Sequence, residues 1–199
     1  MRTTLRLVAL TLCLIVFVSE FADAQYQPAP SPAPPPQRGD TFTPNEVVSA
    51  GSKFFGSVSS GLAKVIETAF SRWGEPNGYV LGQEGSGAFI GGLRYGDGNL
   101  YTKNAGDHRV FWQGPSVGFD YGAEGSRTMM LVYNLPSTNA IYQRFAGISG
   151  SAYFIGGFGM TALGSGDIIV VPIRAGVGLR LGANLGYVKF TPQATWNPF

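Results

Sequence analysis

The chain is poor in the residues with which most enzymes and metal sites carry out their chemistry. Its 199 residues contain one histidine, His108, and one cysteine, Cys13. Charged residues make up 13% of the sequence, whereas about a quarter is usual. A lone histidine cannot form a zinc site of the common kind, and a formal net charge of +2 does not suggest a nucleic-acid partner. We therefore expect no catalytic residue, no metal and no cofactor.

One enzyme class stays open as an alternative. His108 follows Asp107, and the two could form a catalytic triad with a serine, but the sequence lacks a nucleophile elbow around any serine. A pair of glycosidase carboxylates can lie far apart in a sequence, so the absence of a paired motif does not remove this class. A hydrolase is therefore one alternative for the function of this chain.

The N-terminus has the features of an export signal. Arg2 and Arg6 precede the apolar run Leu7–Val18, and small residues follow at Ala22–Ala24. This order predicts a secretory signal peptide over residues 1–24, too short for a membrane span. Cleavage there removes Cys13 and leaves a chain without thiols. Since no second long apolar run follows, we expect no transmembrane span after cleavage.

The next segment is rich in proline. It begins "QYQPAPSPAPPPQRGD", a composition that favours an extended polyproline conformation. We predict a disordered linker over residues 25–43, followed by a single domain over residues 44–199.

The start of that domain has a helical pattern. Thr43, Pro44 and Glu46 match a capping box with proline at the first helical position. Apolar residues then recur at three- and four-residue steps as far as Phe70, and glycine and proline follow Trp73. The pattern predicts one long amphipathic helix over Pro44–Trp73. Because glycines weaken it, this helix needs a partner surface.

From Tyr79 onward the pattern changes to short strands and glycine-rich turns. Asp97-Gly98 predicts a tight hairpin turn, and a second turn is predicted at Asn104–Asp107. A short helix is predicted near 137–145 and one strand over Gly150–Met160. The other predicted strands lie at 79–83, 87–94, 100–103, 110–113, 116–121, 128–133, 168–174, 176–185 and 187–190. Strands without intervening helices favour antiparallel pairing.

The fold class that follows is α+β and mainly β. We expect the long N-terminal helix to pack on a small, glycine-rich antiparallel β-barrel. Glycine within strands marks bends, bulges and places where another element comes close.

Large rings stand beside several of these glycines and suggest a binding surface. A ring beside a residue without a side chain can form the wall of a shallow groove for an acyl chain or a sugar. The candidate ligand-binding residues are Trp112, Tyr95, Tyr101, Phe119 and Tyr121. The other interpretation is that these rings fill the core and cover the glycine backbone.

The stretch "GAFIGGLRYGDGNLYTK…VFWQGPSVGFDYGAEGSRTMMLVYN" resembles the EipA-type domain of alphaproteobacteria, a family first catalogued as a domain of unknown function. The resemblance extends over about Glu46 to Phe190 and implies a small periplasmic β-barrel with a role in envelope integrity. Residues 87–145 are more weakly similar to SYLF-type lipid-binding domains, which implies phospholipid binding. Neither family has a catalytic motif to transfer.

Taken with the composition, the resemblance predicts a non-enzymatic, soluble periplasmic protein that supports the cell envelope. The expected partners are a phospholipid, an envelope glycan or an envelope protein. The hydrolase alternative then becomes a hydrolase acting on envelope polymers. A small outer-membrane barrel is a further alternative because the chain ends in Phe199. It is disfavoured because Pro192 and Pro198 interrupt a terminal strand and every second residue before Phe199 is polar.

Overall fold

A computed structural model describes residues 38–56, 60–87, 93–115, 126–175 and 186–197. The predicted signal peptide and residues 25–37 of the predicted linker lie outside these ranges. The helices are α1 (Pro44–Phe55) and α2 (Ser60–Trp73). The strands are β1 (Gly78–Gly87), β2 (Leu93–Thr102), β3 (Gly106–Pro115), β4 (Ser126–Tyr133), β5 (Arg144–Ile155), β6 (Phe158–Ser165), β7 (Ile168–Ala175) and β8 (Tyr187–Thr191).

Within the described residues, these eight strands form a closed barrel. Their order around the barrel is β1-β2-β3-β8-β5-β6-β7-β4, and every neighbouring pair is antiparallel. The short strand β8 closes the barrel through three residue pairs with β3 and three with β5. Among the described residues, each strand has a neighbouring strand on both sides. Covering strand edges in this way is how small β proteins avoid edge-to-edge association. The predicted antiparallel barrel is therefore confirmed.

The buried apolar residues form two clusters, one inside the barrel and one between the barrel wall and the helices. Because the helices pack outside a closed barrel, the strand residues in the cluster with Leu62 and Val65 face outward, and the alternate residues face inward. The inner cluster consists of Val80, Leu100, Val110, Trp112, Met130, Val132, Leu135, Ile141, Phe145, Leu163, Ile168, Val170, Val188 and Phe190. The two helices thus pack on the wall of their own barrel.

The predicted long helix is wrong in its length, because the chain forms two helices. The start is as expected: the Thr43 backbone N–H donates to the Glu46 carboxylate at 2.8 Å, and the Glu46 N–H donates to the Thr43 hydroxyl. Gly56 then ends α1 in the left-handed conformation, with φ of 80° and its N–H on the Ser52 carbonyl oxygen. Gly74, with φ of 79°, follows the end of α2 as predicted. Residues 57–59 lie outside the described ranges.

Three predictions about the strands are also corrected. Asp97 and Gly98 form no turn, because they lie inside β2 and pair with β1 on one side and β3 on the other. The strand predicted over Gly150–Met160 is divided between β5 and β6 by a tight turn at Gly156-Gly157. The helix predicted near 137–145 is reduced to a 3-10 turn at Thr138–Ile141, because β5 begins at Arg144.

Other predictions hold or fall outside the described residues. The turn at Asn104–Asp107 is confirmed, since β2 and β3 are joined there and Gly106 has φ of 74°. The strands predicted at 116–121 and 176–185 lie outside the described ranges.

Part of the predicted linker is in contact with the domain. The Phe42 backbone N–H donates to the Pro76 carbonyl oxygen, and the Phe42 ring lies edge-on to the ring of Tyr79.

No helix in the described part of the chain is long and apolar enough to cross a bilayer.

Candidate functional site

A groove lies on the outer face of β1, β2 and β3, where the segment after β8 folds back over the sheet. It encloses about 350 Å³. Outward-facing residues of three strands form the floor, and residues 194–196 form one wall. The lining residues are Gln83, Glu84, Gly85, Tyr95, Gly96, Asp97, Phe111, Trp112, Gln113, Ala194, Thr195 and Trp196. We call this the aromatic groove.

Two rings from distant parts of the sequence meet at the aromatic groove. The ring centroids of Tyr95 and Trp196 are 5.1 Å apart, with the planes inclined at 61°. The Tyr95 hydroxyl donates a hydrogen bond to the Trp196 carbonyl oxygen at 3.0 Å, which fastens the C-terminal segment to β2. Trp196 is nevertheless 78% exposed, although large aromatic side chains usually bury most of their surface. An exposed tryptophan in a fixed position is typical of a binding surface.

The polar residues of the aromatic groove are held in different ways. Asp97 is ion-paired with Arg109, and both side chains are about half exposed. Gln113 is only 1% exposed, and its side-chain nitrogen has no hydrogen-bond partner among the described residues. A buried amide without a partner costs about 1–3 kcal/mol, and such groups are common where a ligand or water completes the site.

Beneath the aromatic groove, Trp112 lies in the barrel interior. Its side chain is buried, and its indole N–H donates to the Glu84 carboxylate at 2.8 Å. The indole lies directly on the backbone of Gly96, so that a Cβ atom at this position would overlap the ring. Gly82 makes a similar approach, with 2.6 Å between a Cβ there and the indole. The glycines of β1 and β2 therefore make room for Trp112.

Glu84 is the centre of a buried ion cluster at one end of the barrel. Arg174 donates two hydrogen bonds to its carboxylate, at 2.7 and 2.9 Å, and Arg94 lies 4.0 Å away. Burial alone would raise the pKa of Glu84, but the two guanidinium groups and the indole N–H outweigh it and lower the pKa to about 2. The carboxylate is therefore charged at neutral pH and is already satisfied by three donors.

The structure brings together two of the five candidate residues from the sequence. Tyr95 lies on the outer face in the aromatic groove, and Trp112 lies directly beneath it, buried in the barrel interior where its ring covers glycine backbone. Tyr101 lies elsewhere on the outer wall and stacks on Tyr79, with ring centroids 5.0 Å apart. Phe119 and Tyr121 lie outside the described residues.

Sequence reasoning missed Trp196 and Gln113. Trp196 stands in a proline-flanked tail that has no strand pattern, and its distance of 101 residues from Tyr95 hid the contact. The feature of the sequence that came closest to indicating this contact was the presence of a tryptophan, Trp196, in a polar tail. Gln113 carried no signal, because nothing beside it in the sequence indicates that its side chain is buried.

The residues considered for catalysis do not converge on the groove. His108 lies beside the β2–β3 turn with its Nε2 atom 2.7 Å from the Ala105 carbonyl oxygen. It is not among the residues that line the aromatic groove. Within the described ranges, no three acidic, histidine or cysteine residues lie close enough together to hold a metal ion.

Two comparisons with known proteins found matches, one to a solved structure and one to a family model. A search of curated proteins found no match. A crystal structure described as that of a beta-barrel-like, uncharacterized protein from Brucella abortus is 59% identical, with a TM-score of 0.76. The similarity covers 80% of this chain and 99% of that one. The family model for EipA, envelope integrity protein A, matches residues 40–199. The chain therefore belongs to the envelope integrity protein A family.

Proposed function

We propose that the protein is exported to the periplasm and supports envelope integrity by binding an envelope glycan in the aromatic groove, without catalysing a reaction. The family supports the role in the envelope. The observation that carries the binding site is the 78% exposed Trp196, held beside Tyr95 at the edge of a groove of about 350 Å³. This volume lies at the lower end of the range for small-molecule sites.

The chemistry of the groove favours a sugar over an acyl chain. A sugar ring has an apolar face that stacks on aromatic side chains and hydroxyl groups that need hydrogen-bond partners. The aromatic groove supplies rings from Tyr95, Phe111 and Trp196, with Gln83 and Asp97 beside them. An acyl chain would need a longer apolar cavity, and apolar side chains fill much of the barrel interior.

The same contacts favour binding over hydrolysis. General acid–base catalysis needs a titratable group that can exchange protons with the substrate. The carboxylates at the groove are those of Asp97 and Glu84, which are ion-paired with Arg109 and Arg174. The low pKa of Glu84, about 2, makes it a poor proton donor at neutral pH.

The proposal is tested by calorimetric titration of the purified protein with oligosaccharides of N-acetylglucosamine and with polysaccharide extracted from the host envelope. We expect binding to at least one of these glycans. Trp196→Ala should weaken it at least tenfold, because it removes the exposed ring. Gly85→Phe should abolish it, since a Cβ atom at Gly85 meets nothing within 4 Å and a large ring there fills the groove.

Phe154→Ala is the matched control, because it removes a 48% exposed ring that does not line the aromatic groove. In host cells, the control should restore detergent resistance to a deletion strain, and Trp196→Ala should not. Equal glycan affinity of all variants, or binding only to phospholipid vesicles, would show that the groove is not a glycan site.

A further inference from the structure

One polar residue of the aromatic groove is buried without a hydrogen-bond partner for its donor. Gln113 lines the groove and is 1% exposed, and its Nε2 atom has no partner among the described residues. Buried amide nitrogens are usually paired, because an unpaired donor gives up its hydrogen bonds to water without replacing them. Gln113 thus carries a donor that the described part of the fold leaves without an acceptor.

The position of Gln113 places this donor beside the rings of the aromatic groove. Gln113 stands directly across from Tyr95 on β2, and its side chain faces outward, because that of the adjacent Trp112 faces the barrel interior. The Cβ atoms of such opposed residues lie about 4.5–5.5 Å apart. Tyr95 in turn contacts Trp196, with ring centroids 5.1 Å apart. A sugar stacked on these two rings therefore has Gln113 as its neighbour.

The donor of Gln113 can turn toward a ligand without losing a hydrogen bond. Its Nε2 atom is covered, so a ligand contacts it only after the amide has rotated toward the groove. This rotation breaks no hydrogen bond of Nε2, since that atom has none among the described residues. An acceptor in the groove then supplies the hydrogen bond that the nitrogen lacks.

The acceptor that fits this donor best is a carbonyl oxygen. A sugar hydroxyl also accepts a hydrogen bond, but it brings its own O–H donor into the groove wall, and that donor needs a second acceptor. A carboxylate only accepts, but removing a charge from water is costly unless an opposite charge compensates it, and the Gln113 amide is neutral. A carbonyl oxygen only accepts and carries no charge.

We propose that Gln113 makes the aromatic groove specific for N-acetylated sugars, by donating a hydrogen bond to the carbonyl oxygen of the acetamido group. This specificity rests on the proposed glycan-binding function and adds the class of sugar to it. The acetamido methyl group is apolar, and Phe111, two residues from Gln113 on the same face of β3, offers it an apolar surface. Glucose units have no carbonyl acceptor at this place.

The test is calorimetric titration of the purified protein with two trisaccharides of the same linkage, one of N-acetylglucosamine and one of glucose. We expect wild type to bind the acetylated trisaccharide more tightly by about tenfold or more, the value of one buried hydrogen bond. Gln113→Met keeps the length of the side chain and removes the donor. It should lose this preference and bind the glucose trisaccharide as wild type does.

Gln113→Met has a second expected effect, on stability without glycan. It removes a buried donor that has no partner, so its Tm should be higher than that of wild type. The acetylated trisaccharide should raise the Tm of wild type more than that of Gln113→Met, because a ligand that binds the folded state stabilises it. A lower Tm without glycan would instead assign the amide a structural role and overturn the proposal.

Gln193→Met is the matched control, because it makes the same substitution at an exposed residue that does not line the aromatic groove. Its Tm and its affinity for both trisaccharides should equal those of wild type.

Equal affinity of wild type for the two trisaccharides, or the same preference in Gln113→Met, would overturn the proposed specificity and leave the groove a glycan site of another kind. Failure of the proposed function gives a different result. In that case neither the trisaccharides nor the envelope polysaccharide binds to wild type.

Discussion

At the scale of single residues, Trp112 accounts for glycines inside the strands, because its ring needs the space that their missing side chains leave. Glycine in a strand interior is a weak choice, because it has no side chain to pack and loses more conformational entropy than other residues. Here the indole of Trp112 occupies the space that side chains at Gly82 and Gly96 would take. Its N–H in turn holds Glu84 in place for Arg174. One large ring thus connects the aromatic groove above it with the buried ion cluster around Glu84.

The ion cluster predicts a pH dependence of stability. The pKa of Glu84 is about 2 in the folded protein and about 4.5 ordinarily, so the folded state favours the charged form. The stabilisation is complete above pH 4.5 and is lost as the pH falls toward 2. In Glu84→Gln this contribution is absent, and two buried guanidinium groups lose their carboxylate. We expect the variant to be less stable by about 3–5 kcal/mol at pH 6.

Urea unfolding at several pH values between 6 and 2.5 measures this effect. The gap in unfolding free energy between wild type and Glu84→Gln should narrow below pH 4.5. Glu67→Gln, an exposed position on α2, is the control and should change stability by less than about 0.5 kcal/mol. A gap that stays constant over the whole pH range would contradict the assignment of a charged, buried Glu84.

At the scale of elements, α2 is positioned by backbone contact at its first turn. Gly61 lies against Gly156 in the β5–β6 turn, so closely that a Cβ atom at Gly61 would overlap the Gly156 carbonyl oxygen. Further along the helix, Leu62, Val65 and Ile66 are buried against the outer wall of the barrel. The glycine sets how closely the helix approaches, and the apolar residues supply the burial energy, roughly 1.5–3 kcal/mol for each full side chain.

The substitution Gly61→Ala tests this contact. It has two effects on the stability of the protein, and they have opposite signs. Alanine favours the helix by up to about 1 kcal/mol relative to glycine. A backbone oxygen cannot rotate away from the new methyl group, so the helix must move, at a cost of about 1–3 kcal/mol. We expect a net loss of stability and faster amide exchange in α2.

Ser71→Ala serves as the control because it lies on the exposed side of the same helix. Its stability should stay within about 0.5 kcal/mol of wild type. A Gly61→Ala protein more stable than wild type would mean that α2 does not pack on the β5–β6 turn.

At the scale of the whole molecule, the barrel depends on its shortest strand. The five residues of β8 connect β3 to β5. Phe190 holds this strand from inside the barrel. The centroid of its ring lies 6.0 Å from that of Trp112 and 5.9 Å from that of Phe145. Its backbone N–H donates to the Gln143 carbonyl oxygen. Loss of β8 would expose the edges of two strands to other chains.

We therefore expect Phe190→Ala to cost about 3–5 kcal/mol and to promote self-association through these edges. Denaturant unfolding measures the first effect and light scattering the second. As the control, Trp196→Ala removes a larger but exposed ring and should change neither the stability nor the self-association of the protein. A Phe190→Ala protein that stays monomeric and loses less than 1 kcal/mol would show that β8 is not needed for closure.

Features that depend on neighbours in the sequence were predictable. The capping box at Thr43 and Glu46, the end of α2 before Gly74 and the turn after β2 are each formed by residues a few positions apart. The apolar runs of β4 and β7 were recognisable as strands for the same reason. The antiparallel class followed from the absence of helices between strands. The family resemblance was also readable from the sequence, and the match over residues 40–199 confirms it.

Only the tertiary structure decided which glycines form turns and which allow a neighbouring strand or side chain to come close to the backbone. Asp97-Gly98 has the composition of a hairpin turn, but it lies in a strand with partners on both sides, and Gly98 is needed because β1 comes close. The aromatic groove brings Tyr95 to Trp196, 101 residues away, and the buried ion cluster brings Glu84 to Arg174, 90 residues away. Local propensity acts over a few residues, whereas these contacts arise when the barrel closes and brings distant strands within hydrogen-bonding distance.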